Sequence, residues 1–237
     1  MAVLIVLWIL SSGCQNDPPV ELGTYAYEQT TSVEHCPPGT REGLAGITDD
    51  ERSARGVVYN VRTPANYDPA VGHPLLMVYA PAGINQFRNE GFTGLTQEAT
   101  QAGFIVGYAN RQRLSIKVIE ELGTIPNLIA DKWCVDTERI FLTGHSDGGT
   151  VAVALAVLEQ TQHIPKAIAP SAAGFTAEDL AEFTCPAPLS VMIMHSPEDQ
   201  HFPDYGQQIA DWWAACNGCA GASNKRPVDG CQRYSNC

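Results

Sequence analysis

Residues 139–149 read Arg139-Ile-Phe-Leu-Thr-Gly-His-Ser-Asp-Gly-Gly149, and Thr150 to Gln160 continues as a strongly apolar stretch rich in Ala and Val. The first half is a short β-branched run of strand type, and the second has the length of a helix. Between them Gly144-x-Ser146-x-Gly148 has the spacing of a sharp strand-to-helix turn. Glycine is needed where a side chain would collide with the neighbouring elements of such a turn. The serine at its apex is held in a strained backbone conformation with its hydroxyl projecting. The helix that follows offers free N–H groups and a partial positive charge, so the N–H of Asp147 is a candidate donor to a developing oxyanion. A bare G-x-S-x-G occurs by chance in many chains; the flanking strand and helix are what make this one specific. His145 sits next to Ser146, cannot fold back as its base, and reads as a lining or packing residue.

Outward from this turn, strands and helices alternate. Gly56 to Arg62 is a β-branched early strand. Leu75-Leu-Met-Val-Tyr79 is a continuous apolar run between Pro74 and Pro81, the pattern of a strand buried on both faces. The loop Ala82-Gly83-Ile84-Asn85 follows it. Next come a helix over Gly94 to Gln101, a strand over Phe104 to Tyr108, and a partly helical stretch over Lys117 to Lys132 interrupted at Pro126. After the central turn the sequence predicts a short strand at Ala167 to Ala169, a helix over Thr176 to Phe183 capped by Thr176, and a strand over Leu189 to Met194. A last helix over Tyr205 to Ala215 carries Trp212 and Trp213, expected to pack it, and Met192 and Met194 are expected in the core. Such alternation implies an α/β fold, a mostly parallel sheet with helices on both faces joined by right-handed crossovers.

The chain has 237 residues, 44% hydrophobic and 17% charged, enough for one sizeable core. Its 14 Lys and Arg are scattered and the formal net charge is −12, which argues against a nucleic-acid partner. Residues 1–14 read as a signal peptide of lipoprotein type: Met1 to Leu10 is an apolar run too short to span a bilayer, and Ser11-Ser-Gly-Cys14 places small residues before a cysteine that lipid would modify. The run has no Lys or Arg before it, so an ordinary signal peptide or anchor is the alternative. Residues 15–35 read as a tether and 36–237 as the domain. The expected location is therefore secreted, periplasmic or outer-envelope, with a membrane tether through Cys14. Eight cysteines suit an oxidising compartment. Spacing does not determine their pairing; Cys134 with Cys185, and pairs among Cys216, Cys219, Cys231 and Cys237, are the natural expectations. Cys216-x-x-Cys219 lacks a second ligand pair at zinc-site spacing, so no metal is expected.

With Trp133-Cys-Val-Asp136 before it, the run 139–149 resembles the secreted polyhydroxybutyrate depolymerase and feruloyl esterase family of α/β-hydrolases. Val191-Met-Ile-Met-His195-Ser-Pro-Glu-Asp199 looks like that family's loop for the triad acid, and Asp211-Trp-Trp-Ala-Ala-Cys216-Asn-Gly-Cys219 is similar to its Trp-rich helix. The resemblance implies the α/β-hydrolase fold and a serine esterase that forms an acyl-enzyme at Ser146, with Asp199 as acid and no cofactor. Glu198 is the alternative acid and Asp204 a weaker one. The implied substrate is an external ester, either a polyester oligomer or an acylated polysaccharide carrying feruloyl or acetyl groups.

Two departures qualify the resemblance. The family's His-Gly after the early apolar strand is replaced by Ala80-Pro81, and since Pro81 has no N–H the second oxyanion donor falls by position to Ala82. The triad order places the histidine after the acid and one further strand, whereas this sequence reaches Cys237 without one, so the domain is expected to lack its last strand and histidine loop. His195 frames the acid loop and His201 is only two positions from Asp199, a poor geometry for a base; His35, His73 and His163 read as surface or loop residues. The contrasting expectation is a catalytically inactive lipoprotein that binds an ester-like ligand.

Overall fold

The computed structural model describes residues 19–27, 35–221 and 230–237. The expected signal peptide with Cys14, and most of the tether, lie outside the described residues. Seven strands form one sheet: β1 (Ile47–Arg52), β2 (Val58–Arg62), β3 (His73–Tyr79), β4 (Ile105–Ala109), β5 (Val135–His145), β6 (Ala167–Ser171) and β7 (Ser190–Val191). Their order is β1-β2-β4-β3-β5-β6-β7. The first two pairings are antiparallel and the other four parallel, so the mostly parallel sheet is as expected.

Helices α1 (Gln86–Thr93), α2 (Thr96–Gln101), α3 (Ile116–Leu122), α4 (Ile125–Lys132), α5 (Asp147–Val157), α6 (Ala177–Ala181) and α7 (Tyr205–Cys216) connect them. Strand alternation divides the side chains between two faces. Leu75 and Met77 of β3, Ile140 and Leu142 of β5 and Ile168 of β6 join the main core with residues of α3, α4, α5 and α7. Val78, Val106 and Tyr108 point to the other face and form a smaller core with Leu95 and Ala99 at α2. That second face is uncovered over β5, β6 and β7 among the described residues. An open groove of about 230 Å³ runs there, lined by Leu76, Phe141, Ala167, Ala169, Ser190 and Met192.

Several expectations are corrected. Helix α1 falls in a segment left without a predicted element: it is polar and contains Gly91, but Asn85 caps it by accepting from the Arg88 N–H at 3.0 Å. Pro126 does not interrupt the helical stretch; it sits in the first turn of α4, where a missing N–H costs nothing, and the break falls at Gly123 and Thr124. Strand β7 has two residues rather than six, with one further bridge from Ser171 to Met194. Met192 and Met194 are exposed, at 59% and 39%, because no described helix packs on their side of the sheet. His73 is buried at 1%, its Nδ1 bonded to the Gly103 carbonyl at 2.7 Å. Thr176 caps α6 as expected, in a reciprocal box with Asp179.

The disulfides are Cys36–Cys134, Cys185–Cys216 and Cys219–Cys237, and Cys231 is free and exposed. Cys134 therefore does not pair with Cys185. The Cys36 N–H donates to Ala70 just before β3, and β3 begins beside Val135, so Cys36 is the cysteine that meets Cys134. Cys185 follows α6, which packs on α7 and so faces Cys216. The Cys216-x-x-Cys219 pair is thus consumed by disulfides, and no metal-holding cluster occurs among the described residues. Three disulfides mark a protein of an oxidising, extracytoplasmic compartment. No described helix is long and apolar enough to cross a membrane.

Candidate active site

Ser146 lies between the end of β5 and the first turn of α5 with φ 55° and ψ −120°, a backbone conformation that side chains other than hydrogen rarely adopt. The surrounding glycines explain how the turn holds it. A Cβ on Gly148 would come within 2.0 Å of the Tyr79 carbonyl oxygen, one on Gly144 within 2.5 Å of Gly148, and one on Gly149 within 2.5 Å of the Ser171 carbonyl oxygen. The chain can turn this sharply only because those three positions have no side chain. The Ser146 N–H donates to the Ser171 carbonyl at 2.9 Å, and Thr150 donates to the Ser146 carbonyl from both its N–H and its hydroxyl.

Close packing of Gly148 against Tyr79 and Ala80 brings the end of β3 beside the elbow, and Ala82 follows two residues after Ala80. Ala82 is exposed while Pro81 is buried. Neither the Asp147 N–H nor the Ala82 N–H has an acceptor among the described residues. Both are thus free to bind an incoming oxygen, as oxyanion donors must be.

Asp199 belongs to the loop between β7 and α7 and is anchored at its Oδ1, which accepts from the N–H groups of His201 (2.8 Å) and Phe202 (3.0 Å). Those bonds, the Phe202 one foremost, hold its carboxyl below the usual carboxylate range. Its Oδ2 lies 3.7 Å from His195 Nε2. Phe202 also links the acid loop to the elbow: a Cβ on Gly174 would meet its ring at 3.1 Å, and the Gly174 N–H donates to Thr150 Oγ1 at 2.8 Å. The spacing Asp199-x-x-Phe202 is that of a carboxylate closing its own turn, the signal by which Phe202 was open to discovery from sequence. Glu198 is exposed, and no hydrogen bond to its carboxylate occurs among the described residues. Asp204 starts α7 at φ 63° without a side-chain cap.

All six histidines of the sequence fall among the described residues. His195 is committed to the acid loop: its Nε2 bonds to the Phe202 carbonyl at 2.9 Å and its ring packs against Gly206. His145 turns to the second face of the sheet, with Nδ1 3.1 Å from Ser171 Oγ and its ring 5.5 Å from that of Phe92. His35 bonds to the Ala70 carbonyl, and His73 to Gly103 and Tyr27. His163 and His201 are exposed. None forms a hydrogen bond with Ser146 Oγ among the described residues.

The chain matches a model of the acetyl xylan esterase family over residues 82–177, from the Ala82 loop through the elbow to the start of α6. No curated protein matches it. Among solved structures, a thermostable esterase superposes with a TM-score of 0.57 at 17% identity, over 74% of this chain and 52% of that one. The present chain thus spans about half the length of that esterase. A thermophilic esterase of the planctomycete Thermogutta terrifontis gives 0.54 at 14% identity, over 77% and 79% of the two chains. A dipeptidyl aminopeptidase IV homologue of Bacteroides ovatus gives 0.54 at 18% identity, over 72% and 30%. Strand order, elbow geometry and these superpositions agree that the chain has the α/β-hydrolase fold.

Proposed function

We propose that the chain is a carboxylic ester hydrolase whose nucleophile is Ser146. The observation that carries this reading is the serine at φ 55° at the start of α5, next to the Asp147 N–H, which has no acceptor among the described residues. Ser146 Oγ attacks the ester carbonyl carbon and its proton passes to a base. The carbonyl oxygen, now an anion, accepts from the N–H groups of Asp147 and Ala82. The C–O bond then breaks, the alcohol leaves with the proton, and water releases the acid from the acyl-enzyme. Asp199 orients the base through Oδ2, since Oδ1 is already occupied.

The base is proposed to come from a histidine loop that follows the acid and one further strand, as the triad order of this fold implies. The bonds already made by His195 and His145 support that reading. The favoured substrate is an acetylated or feruloylated polysaccharide rather than a hydroxyalkanoate polyester, because the acetyl xylan esterase likeness covers the elbow itself. The protein is read as exported, with Cys14 as a lipid anchor.

A second reading, a binding protein that holds an ester-like ligand without turnover, is favoured by the lack of a hydrogen-bonded base at Ser146 among the described residues. The test is hydrolysis of short-chain p-nitrophenyl esters and of acetylated xylan, by this chain and by one extended through the downstream reading frame, each with a Ser146→Ala control. Ser146-dependent turnover by the extended chain is expected. Turnover by neither would sink the esterase and leave the binding protein; Ser146-dependent turnover by the shorter chain would overturn the assignment of the base.

A further inference from the structure

Beneath α1 three buried amides are each pinned by one arm and left with the other arm free. Asn60 Oδ1 accepts from the Asp50 N–H at 3.1 Å, Gln86 Nε2 donates to Asp50 Oδ1 at 3.0 Å, and Asn89 Nδ2 donates to the Val78 carbonyl at 3.2 Å. Each partner has only one role to play, so the orientation of every amide is fixed. Asn60 and Asn89 are fully buried and Gln86 is 5% exposed, yet Asn60 Nδ2, Gln86 Oε1 and Asn89 Oδ1 have no partner among the described residues. Buried polar atoms of this kind are costly unless something satisfies them.

The three belong to one place. Asn60 pairs across the sheet with Tyr108, and Tyr108 with Val78, whose carbonyl holds Asn89. Asp50 joins Asn60 to Gln86, and Gln86 and Asn89 are one turn apart on the buried side of α1. The ion pairs of Arg62 with Glu90 and Asp49 lie on the same face, two residues along β2.

We propose that Asn60, Gln86 and Asn89 hold one ordered water, and that this clasp positions the start of α1 and with it the Ala82 loop. One donor and two acceptors are the complement of a single water, which accepts from Asn60 Nδ2 and donates to Gln86 Oε1 and Asn89 Oδ1. A three-point clasp at the first turn of α1 fixes where the four residues before it can lie, and they carry the Ala82 N–H. Asn60, Gln86 and Asn89 are thus positioning residues. Their bearing on Ala82 rests on the esterase reading; the water site does not.

A high-resolution crystal structure of the chain is expected to show a solvent peak about 2.7–3.2 Å from all three atoms. Asn60→Leu keeps the volume and leaves the water no donor, and it also removes the acceptor of the Asp50 N–H. In that variant the amides of Arg88 and Asn89 are expected to exchange hydrogen about tenfold faster, the equivalent of one buried hydrogen bond, with the α4 amides unchanged. The proposal is overturned by a direct bond from Asn60 Nδ2 to either acceptor, by the absence of the peak, or by exchange that is unchanged or rises everywhere alike. Neither readout uses turnover, so an inactive protein would remove the esterase reading and leave the water site standing.

Discussion

Ser146 occupies a backbone conformation in which glycine would be at ease and every other residue is strained. Ser146→Gly is therefore expected to stabilise the fold by about 1 kcal/mol, the relief of strain exceeding glycine's larger entropy in the unfolded chain, while removing all serine reactivity. Ser146→Ala keeps the strain and serves as the comparison; urea unfolding of the two decides, and equal midpoints would mean the turn stores no strain at this residue. Gly148 is the opposite case. Its missing Cβ is what lets Tyr79 approach, and the group it would meet is backbone that cannot swing aside. Gly148→Ala is expected to cost about 3 kcal/mol or more in the same measurement, beyond an ordinary overpacked methyl. Both positions were legible in the sequence, because the motif states its own steric requirement within five residues.

At the scale of elements, legibility follows how local the cause is. The buried parallel strands β3, β4 and β5 announce themselves as apolar runs. Edge strand β1, with Asp49, Asp50 and Glu51, was not foreseen, because its place depends on pairing with β2. Cys219–Cys237 falls within the expected group, but Cys36–Cys134 and Cys185–Cys216 were illegible, because packing and not spacing decides which cysteines meet. Cys36–Cys134 closes 98 residues, Cys185–Cys216 closes 31 and Cys219–Cys237 closes 18. In the chain-entropy account their loss costs about 4.7, 3.7 and 3.2 kcal/mol, so paired Ala substitutions should lower stability in that order, with Cys36/Cys134 worst. A different order, read by thermal unfolding, would mean native packing and not loop closure sets the cost. The segment at residues 23–27 is fastened across this region by Tyr27, whose hydroxyl is 3.2 Å from His73 Nε2. Burial pushes the His73 pKa down, with the Arg139 charge adding to it and the Gly103 carbonyl and Asp68 opposing; Tyr25, Tyr27 and Tyr67 complete its surroundings. A base whose folded pKa is depressed contributes stability above its unfolded pKa of about 6.5 and loses it as pH falls below that value. Unfolding at pH 7 and pH 5 should show a smaller loss for His73→Gln than for the parent, and equal losses would show that this histidine does not sense acid.

For the molecule as a whole, the sheet is the least satisfied element. Parallel strands are ordinarily covered on both faces, and here β5, β6 and β7 show an apolar groove on one of them among the described residues. The sequence concealed this. Leu189 to Met194 has the pattern of a buried strand, and burial was the natural reading of Met192, but a pattern specifies what a face requires and not whether the partner is at hand. The elbow at Ser146 and the turn that Asp199 closes were legible because each is local. The groove also makes a measurable claim. An anionic dye such as anilinonaphthalene sulfonate is repelled by a chain of net charge −12, so any fluorescence gain on binding has to come from apolar contact. Folded protein is expected to enhance the dye, and Met192→Glu, at a position 59% exposed, should abolish most of that gain without changing the circular dichroism. A gain that survives the substitution would place the dye elsewhere. No gain in the parent would mean that the face over β5, β6 and β7 is not the open apolar surface described for it.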